Sequence, residues 1–596
     1  MKTLVPGILA ALAAHLGCAA DLSPARWPSA ERERLEKLES QSWSPLQAQS
    51  VSGAEGIVSA TVSPVAVHAG LEALRAGGTA ADAAAVTALT QITTQLGSVV
   101  SYAGIFTMVY YDAHSGHVYS MDAGYNCYLH ESDPKSIPVG DLGPLNLGIK
   151  PTEGGAKGRE TLVPGFMAGL QAMHGRFGRL PFADLFAPAL WYTEHGVIVS
   201  PHLDGYFKLR GKFLSRTPEG QRFMANAGGT TPQQGALFVQ PDLNKTLQAV
   251  ARHGASYMYT GQWARDFVRV VQREGGKVTA EDLARYKPIW NEPYKGTFLG
   301  STLYVNGAPH FGAYNLLTGL NLIEALHVQD QGPYWSDVNT FRDLARVSQI
   351  VSGAPVLNGA LAASLSDHGI DTSPASQLTK QYAQKMAPLL GNLFAPAADN
   401  SPHHSNSIVV VDRQGNIATI THTINAVIWG DTGIVVDGIP IPDSAAFQQA
   451  RLAAIKPGER LPHEIIDTIV FTGKQPVLAT ASIGSSLVPE SLRVLLGVLG
   501  QKQSLETLMT EPPLLAHLDF SAGLQPLGAI PVSIPQGAYA ADFLAGVKAA
   551  TVNIQEVPAA TAGALRGTLA AVAIDPQTGR RTAVDQPGVM VFNEAQ

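Results

Sequence analysis

Ser405-Asn406-Ser407-Ile408-Val409-Val410-Val411-Asp412-Arg413-Gln414-Gly415-Asn416-Ile417-Ala418-Thr419-Ile420-Thr421-His422-Thr423-Ile424-Asn425 is the stretch whose reading decides the fold. Ile408 to Asp412 is an apolar, β-branched run and reads as a strand. Arg413 to Asn416 supplies a hairpin turn, and Ile417 to Asn425 is the return strand. Successive side chains of a strand point to opposite faces. One face of the return strand therefore carries Thr419, Thr421, Thr423 and Asn425, and the other carries Ala418, Ile420, His422 and Ile424. A row of hydroxyls ending in an amide has two readings. It is either a wet face built of strand-favouring threonines or the polar wall of a reactive site.

The partner strand begins at Ser405, after the polar loop Ser401-Pro402-His403-His404. A hydroxyl residue at the head of an apolar strand, following a long loop, resembles the layout of an N-terminal-nucleophile (Ntn) hydrolase. Such an enzyme cuts its own chain just before Ser, Thr or Cys. The freed α-amine, with an ordinary pKa of roughly 7.7–8.0, then serves as base for the neighbouring hydroxyl near neutral pH.

Outward from this hairpin, the chain is mostly helical in its first two-thirds and rich in strand pairs in its last third. Val65 to Ala76 and Ala80 to Ile92 carry apolar residues at helical spacing, punctuated by Gly77-Gly78. Ile105 to Asp112 and His117 to Asp122 read as a strand pair, and residues 162–326 read as mainly helical. Asp467 to Phe471 with Val477 to Ala481, and Leu569 to Ile574 with Arg581 to Val584, read as further hairpins, with a helix at Val488 to Leu499. Interleaved helices and hairpins imply sheets sandwiched between helices.

The 596 residues are 45% apolar and 15% charged, which fits a globular enzyme with a large core and excludes a disordered chain. The net charge of −7 and the absence of a Lys/Arg cluster argue against nucleic acid as a partner. Lys2 followed by the apolar run Leu4 to Leu16 and the small residues at Cys18-Ala19-Ala20 reads as an export signal over residues 1–20. The run is too short for a transmembrane anchor. Cleavage after Ala20 would release a soluble periplasmic or secreted protein, and this is the preferred reading. Cleavage before Cys18 would leave a lipoprotein. In both cases Cys127 lacks an intrachain disulfide partner. No dinucleotide or Walker glycine pattern stands between a strand and a helix, so no cofactor is expected. His403-His404 reads as a solvated loop, and His463-Glu464 lacks the second histidine of a zincin motif, so no metal is expected.

Several motifs in order resemble the γ-glutamyltransferase (glutathione hydrolase) family, an Ntn-hydrolase family, over nearly all of residues 55–590. Gly77-Gly78-Thr79-Ala80-Ala81-Asp82-Ala83-Ala84 is similar to the family's G-G-N-A-x-D-A-A, and Val163 to Gly169 to its V-P-G-x-x-A-G. Gly275-Gly276 to Tyr286 resembles G-G-x-I-T-x-x-D-L-x-x-Y, and Ser407 to Asn416 resembles the strand and turn after the nucleophile. Counting back from Val410-Val411-Asp412, the family's nucleophilic Thr falls on Ser405, with self-cleavage between His404 and Ser405. The supporting Thr and Asn fall on Thr423 and Asn425 without a gap. Gly484 and Ser485, in Ala481-Ser482-Ile483-Gly484-Ser485-Ser486, stand where the family places its oxyanion donors.

The substrate pocket departs from the family and marks the chain as a divergent member. Where the family has the Arg of D-F-R-E for the glutamyl α-carboxylate, this chain has Asp122-Ala123-Gly124-Tyr125, and Gly124 carries no guanidinium. The family's Ser-Ser pair is replaced by His463-Glu464. The acidic residue for the α-amine falls on Asp443, or on Asp437, or has no counterpart.

The resemblance implies an α+β, four-layer αββα sandwich, cut into a large subunit (21–404) and a small subunit (405–596) that stay together. It implies transfer or hydrolysis of the acyl group of a small-molecule amide, such as a γ-glutamyl amide, with water or an amine as acceptor. The alternatives are an Ntn acylase for a different, less charged acyl group, a non-catalytic binding relative, and a transferase of a secondary-metabolite pathway.

Overall fold

The computed structural model describes residues 21–139, 157–229, 231–352, 359–396, 405–515, 524–526 and 529–596. The export-signal reading at 1–20, with Cys18, and His404, the residue expected to precede the cleavage point, lie outside the described residues.

Two seven-stranded antiparallel sheets form the centre. The first has the order Val591–Ala595, Ile57–Thr61, Ser405–Val411, Ile417–Thr423, Ile105–Asp112, His117–Ala123, Ile289–Asn291. The second has the order Ser50–Gly53, Arg581–Val584, Thr568–Ile574, Gln475–Ile483, Ile466–Thr472, Ser301–Val305, Tyr294–Phe298. Each sheet takes strands from both sides of Ser405, so the two halves of the chain are interwoven in hydrogen-bonded ladders.

The period-two pattern sorts the side chains into layers. Val409, Val411 and Ile417 of the first sheet meet Ile469, Phe471, Ala479 and Val572 of the second in one apolar cluster between the sheets. Each such Val, Ile or Phe side chain, when fully buried, contributes about 1.5–3 kcal/mol. Ile408, Val410, Ala418 and Ile420 point the other way, into a core shared with the helices Pro64–Arg75 and Ala80–Thr94. Leu303, Ile466 and Val470 likewise pack on the helices Gly312–Ala325, Val338–Ser352 and Leu487–Leu495. The result is the αββα order expected from the sequence.

Local chemistry fixes the helices that pack behind the strand Ser405–Val411. Ser63 accepts from the Ala66 N–H at 3.1 Å, and Pro64 opens the first helix. Thr79 and Asp82 form a reciprocal capping box at the start of the second. Asp412, at the hairpin turn, accepts from the backbone N–H groups of Gln414 and Asn416 through one oxygen and from the Ala80 N–H through the other. One carboxylate thus closes the turn and caps the helix behind it.

The segment 162–326 differs from its mainly helical reading. Three strands, Ile289–Asn291, Tyr294–Phe298 and Ser301–Val305, lie within it and extend both sheets. Ser301–Val305 alternates buried and half-buried positions, a strand signature too short to stand out among the helical segments. Among the described residues, no helix is long and apolar enough to cross a membrane. Cys127 is buried, and burial pushes its thiol up to about 11.

Candidate active site

Ser405 and Thr423 are direct Cα partners across the antiparallel ladder, and both side chains belong to the face that looks toward the second sheet. Ser405 is 8% exposed and Thr423 is buried. Thr423 Oγ1 accepts from the Asn425 N–H at 3.0 Å. That bond ends the strand and holds Asn425 in a left-handed conformation (φ 47°), which Asn tolerates better than most residues. The Asn425 amide lies 2.6 Å from His463 Nδ1.

The threonine face is not wet. Thr421 donates to Asp467 Oδ1 at 2.6 Å, and Thr107 and Asn306 donate to Asp467 Oδ2 at 3.0 and 2.8 Å. Asp467 belongs to the second sheet and is fully buried, and burial pushes its carboxyl up to about 6 despite these three donors. The other face carries His422, which is fully buried and 2.8 Å from Gln91 Oε1. Burial lowers its pKa to about 3, so it is a neutral packing residue.

Gly484 and Ser485 lie in the turn between the strand Gln475–Ile483 and the helix Leu487–Leu495. Gly484 has φ 88°, and a Cβ there would stand 2.6 Å from the carbonyl oxygen of Arg566. The turn is therefore restricted to glycine for two separate reasons. The following helix places its positive end beside Ser405, a position suited to developing negative charge.

Ser405 and Gly484 stand at the junction of two cavities. The wider, about 370 Å³, is lined in part by His202, Tyr206, Asn406, Arg566 and Met590. The narrower, about 20 Å³, has room for little more than one water. Its lining includes Thr421, Asn425, Arg451 and Glu464. The structure thus brings Ser405, Asn425, Glu464 and Gly484 of the sequence candidates to a shared cavity, with Thr423 and His463 immediately behind.

The space near Gly124 is filled. A Cβ on Gly124 would meet Asp122 Oδ1 at 2.8 Å, His463 Cδ2 at 3.2 Å and Arg460 Cδ at 3.3 Å. Arg460 is committed elsewhere: it pairs with Asp122 at 2.5 Å, donates to Asn126 and Lys287, and stacks on Tyr286. Burial alone would raise the Asp122 carboxyl, but His310 and Arg460 hold it at about 2. Burial, with the charges of His310 and Arg451, drives the His463 pKa well down, so His463 is neutral. Glu464 accepts from the Asn315 amide.

Tyr125 and Asp443 do not line either cavity. The Tyr125 hydroxyl donates to the Ile424 carbonyl at 3.1 Å and acts as a buried strut under the end of the return strand. Asp443 is fully buried and accepts from the Asp431 N–H at 3.1 Å. Burial and then the neighbouring Asp431 raise its pKa. Asp437 lines a separate surface cavity with Asp242, Asp266 and Arg269. Sequence reasoning missed Asp467, Arg451 and Arg566, because each reaches the site only through the packing of segments distant in the chain.

A 459-residue span agrees with this geometry: the family profile for gamma-glutamyltranspeptidase matches residues 66–524. The glutathione hydrolase proenzyme of Pseudomonas aeruginosa is 29% identical over 447 residues, covering 70% of this chain and 75% of its own. The acylase ACY 1 proenzyme of Pseudomonas sp. strain V22 is 23% identical over 487 residues, covering 77% and 82%. The crystal structure of cephalosporin acylase from Bacillus halodurans superimposes with a TM-score of 0.73 at 19% identity, over 93% of this chain and 98% of that one, a likeness of fold. On the family match, carried across most of its length, this chain belongs to the gamma-glutamyltranspeptidase family.

Proposed function

We propose that the protein is a self-processing Ntn amidohydrolase or acyltransferase with Ser405 as its nucleophile, acting on an amide whose acyl group is not a free γ-glutamyl head. In maturation, Ser405 Oγ attacks the His404 carbonyl, the peptide C–N bond breaks to leave an ester on Oγ and a free Ser405 α-amine, and water then hydrolyses the ester to give the Ser405 hydroxyl and the His404 carboxylate. In turnover, the α-amine takes the proton of the Ser405 hydroxyl as Oγ attacks the substrate carbonyl, and returns it to the leaving amine. Backbone N–H groups at Gly484 and Ser485 hold the oxyanion, and water or a second amine accepts the acyl group. The pairing of Ser405 with Thr423 at the mouth of two cavities, beside the Gly484 turn, carries this reading. The interwoven strands support two subunits, 21–404 and 405–596, that remain one body. The leader-like run at 1–20 supports export.

The acyl preference rests on the Gly124 region. The guanidinium that touches the Gly124 position, Arg460, is neutralised by Asp122, and the cavity on that side is nearly closed. Arg451 also lines that cavity, but a space with room for little more than one water does not admit a glutamyl head. The γ-glutamyl reading retains the support of the 29% identical glutathione hydrolase.

A denaturing gel of folded protein followed by N-terminal sequencing tests the chemistry. Two fragments, the smaller starting Ser-Asn-Ser-Ile, are expected. A single uncut chain rejects the enzyme in favour of a binding relative, and a start at Ser407 moves the nucleophile. A panel of anilides then tests the acyl group: release from glutaryl or butyryl anilide but not from γ-glutamyl anilide is expected.

A further inference from the structure

The wider cavity beside Ser405 contains a cation with no counter-charge. Arg566 lies at the end of the segment that packs against the Gly484 turn: its carbonyl oxygen bounds Gly484, and the Leu565 carbonyl accepts from Ser486 Oγ. Its guanidinium donates one hydrogen bond, from Nη1 to the Pro587 carbonyl at 2.8 Å. Its Nε is buried without a partner, and among the described residues Arg566 forms no ion pair. The nearest acidic group acting on it, Glu490, is already engaged by Arg493 and Gln586. Burial without a partner carboxylate lowers the Arg566 pKa, as expected for a cation held out of water. A desolvated charge of this kind is costly unless an anion completes it.

Arg566 lines this cavity together with Ser405. A guanidinium presents a planar fork of donors and no acceptor, which matches a carboxylate. The cavity volume, about 370 Å³, falls within the range of small-molecule sites, and Tyr206, Val99 and Met590 give it an apolar wall for the rest of the molecule.

Building on the amidohydrolase reading above, we infer that Arg566 is the specificity-determining anchor for a carboxylate of the amide substrate, held in the wider cavity rather than at the Gly124 position. The carboxylate belongs either to the acyl half or to the amine half of the amide.

Three amides separate these sources: glutaryl anilide, with an acyl carboxylate; the butyryl amide of 4-aminobenzoate, with an amine-side carboxylate; and neutral butyryl anilide. For the processed wild-type enzyme, one of the two carboxylate-bearing amides is expected to exceed the neutral one in kcat/KM by about ten- to hundred-fold, the value of one charge-assisted hydrogen-bond pair. Arg566→Gln should erase that preference mainly through KM, and Arg566→Lys should keep part of it. Equal rates on all three amides, or a preference that survives Arg566→Gln, overturns the inference while leaving the amidohydrolase reading intact. No cleavage of the precursor and no turnover of any amide overturns both. Because Arg566→Gln could fail to fold, glutarate and 4-aminobenzoate are also tested as competitive inhibitors of wild type. Inhibition by one of them at least ten-fold stronger than by its neutral amide analogue supports the anchor, and none stronger overturns it.

Discussion

Ser405 and Thr423 sit directly opposite each other at the open end of an antiparallel pair, and Thr423 in turn fixes the backbone of Asn425. Ser405, the proposed nucleophile, is thereby placed on one strand and its neighbours on the adjacent one. Ser405→Ala is expected to leave one uncut chain of full length with no turnover. Thr423→Val keeps the shape but removes the acceptor for the Asn425 N–H, releasing a left-handed residue from its restraint. Self-cleavage and kcat should each fall about ten- to hundred-fold, the effect of roughly 1.5–3 kcal/mol. Densitometry of the two fragments over time, and anilide release, measure both. Wild-type processing by Thr423→Val would show that the hydroxyl is not needed.

The turn at Gly484 ties the proposed oxyanion donors to a chain geometry that only glycine fits. A methyl group at this position meets the Arg566 carbonyl and must also adopt a positive φ. Gly484→Ala should therefore displace the N–H groups at 484 and 485 and lower kcat by about 10²–10³, as removal of an oxyanion donor does. KM for the anilide should move much less, since the cavity walls stay in place. An equal rise in KM with kcat preserved would assign the turn to binding instead.

The hairpin around Asn416 is legible from sequence because its turn residues and its alternation are local. The hydroxyl face is legible too, but not its environment. Asp467, the residue that keeps Thr421 and Thr107 dry, arrives from the opposite sheet more than forty positions downstream. Arg566 is less visible still, since nothing in Leu565-Arg566-Gly567 signals proximity to Ser405. The strands from Ile289 to Val305 read as part of a helical region because Lys295, Gly296 and Thr297 blur their pattern. Short-range chemistry reveals elements; the site forms where distant elements meet.

Asp467 makes stability depend on pH with a defined sign. Its carboxyl is near 6 in the folded protein and about 3.9 when unfolded. Between these values the folded state holds a proton that the unfolded state has released, so stability falls as pH rises through the window. About two units correspond to roughly 3 kcal/mol, fully present below pH ~4 and lost above pH ~6. Asp467→Asn should flatten this component of the curve. Thermal midpoints of wild type and Asp467→Asn, recorded from pH 4 to 8, measure the difference. Parallel profiles would mean that the carboxyl is ionised throughout.

Asp443 offers the sharpest separation between motif register and geometry. The motif register offers it as a partner for a substrate amine, whereas its side chain lies in a closed cluster with Asp431, Glu160 and Lys157. Lys157 pairs with Glu160 at 2.8 Å and with Asp431 at 2.9 Å, and Asp443 Oδ2 accepts from the Asp431 backbone, closing the loop 430–443. Asp443→Ala should therefore act on the loop, by leaving the Asp431 N–H unsatisfied and opening a small cavity, at about 2–4 kcal/mol. The expected signature is a lowered Tm with KM for the preferred amide changed less than two-fold. A KM raised ten-fold at an unchanged Tm would instead place Asp443 in contact with substrate, and would require the loop to open when substrate binds.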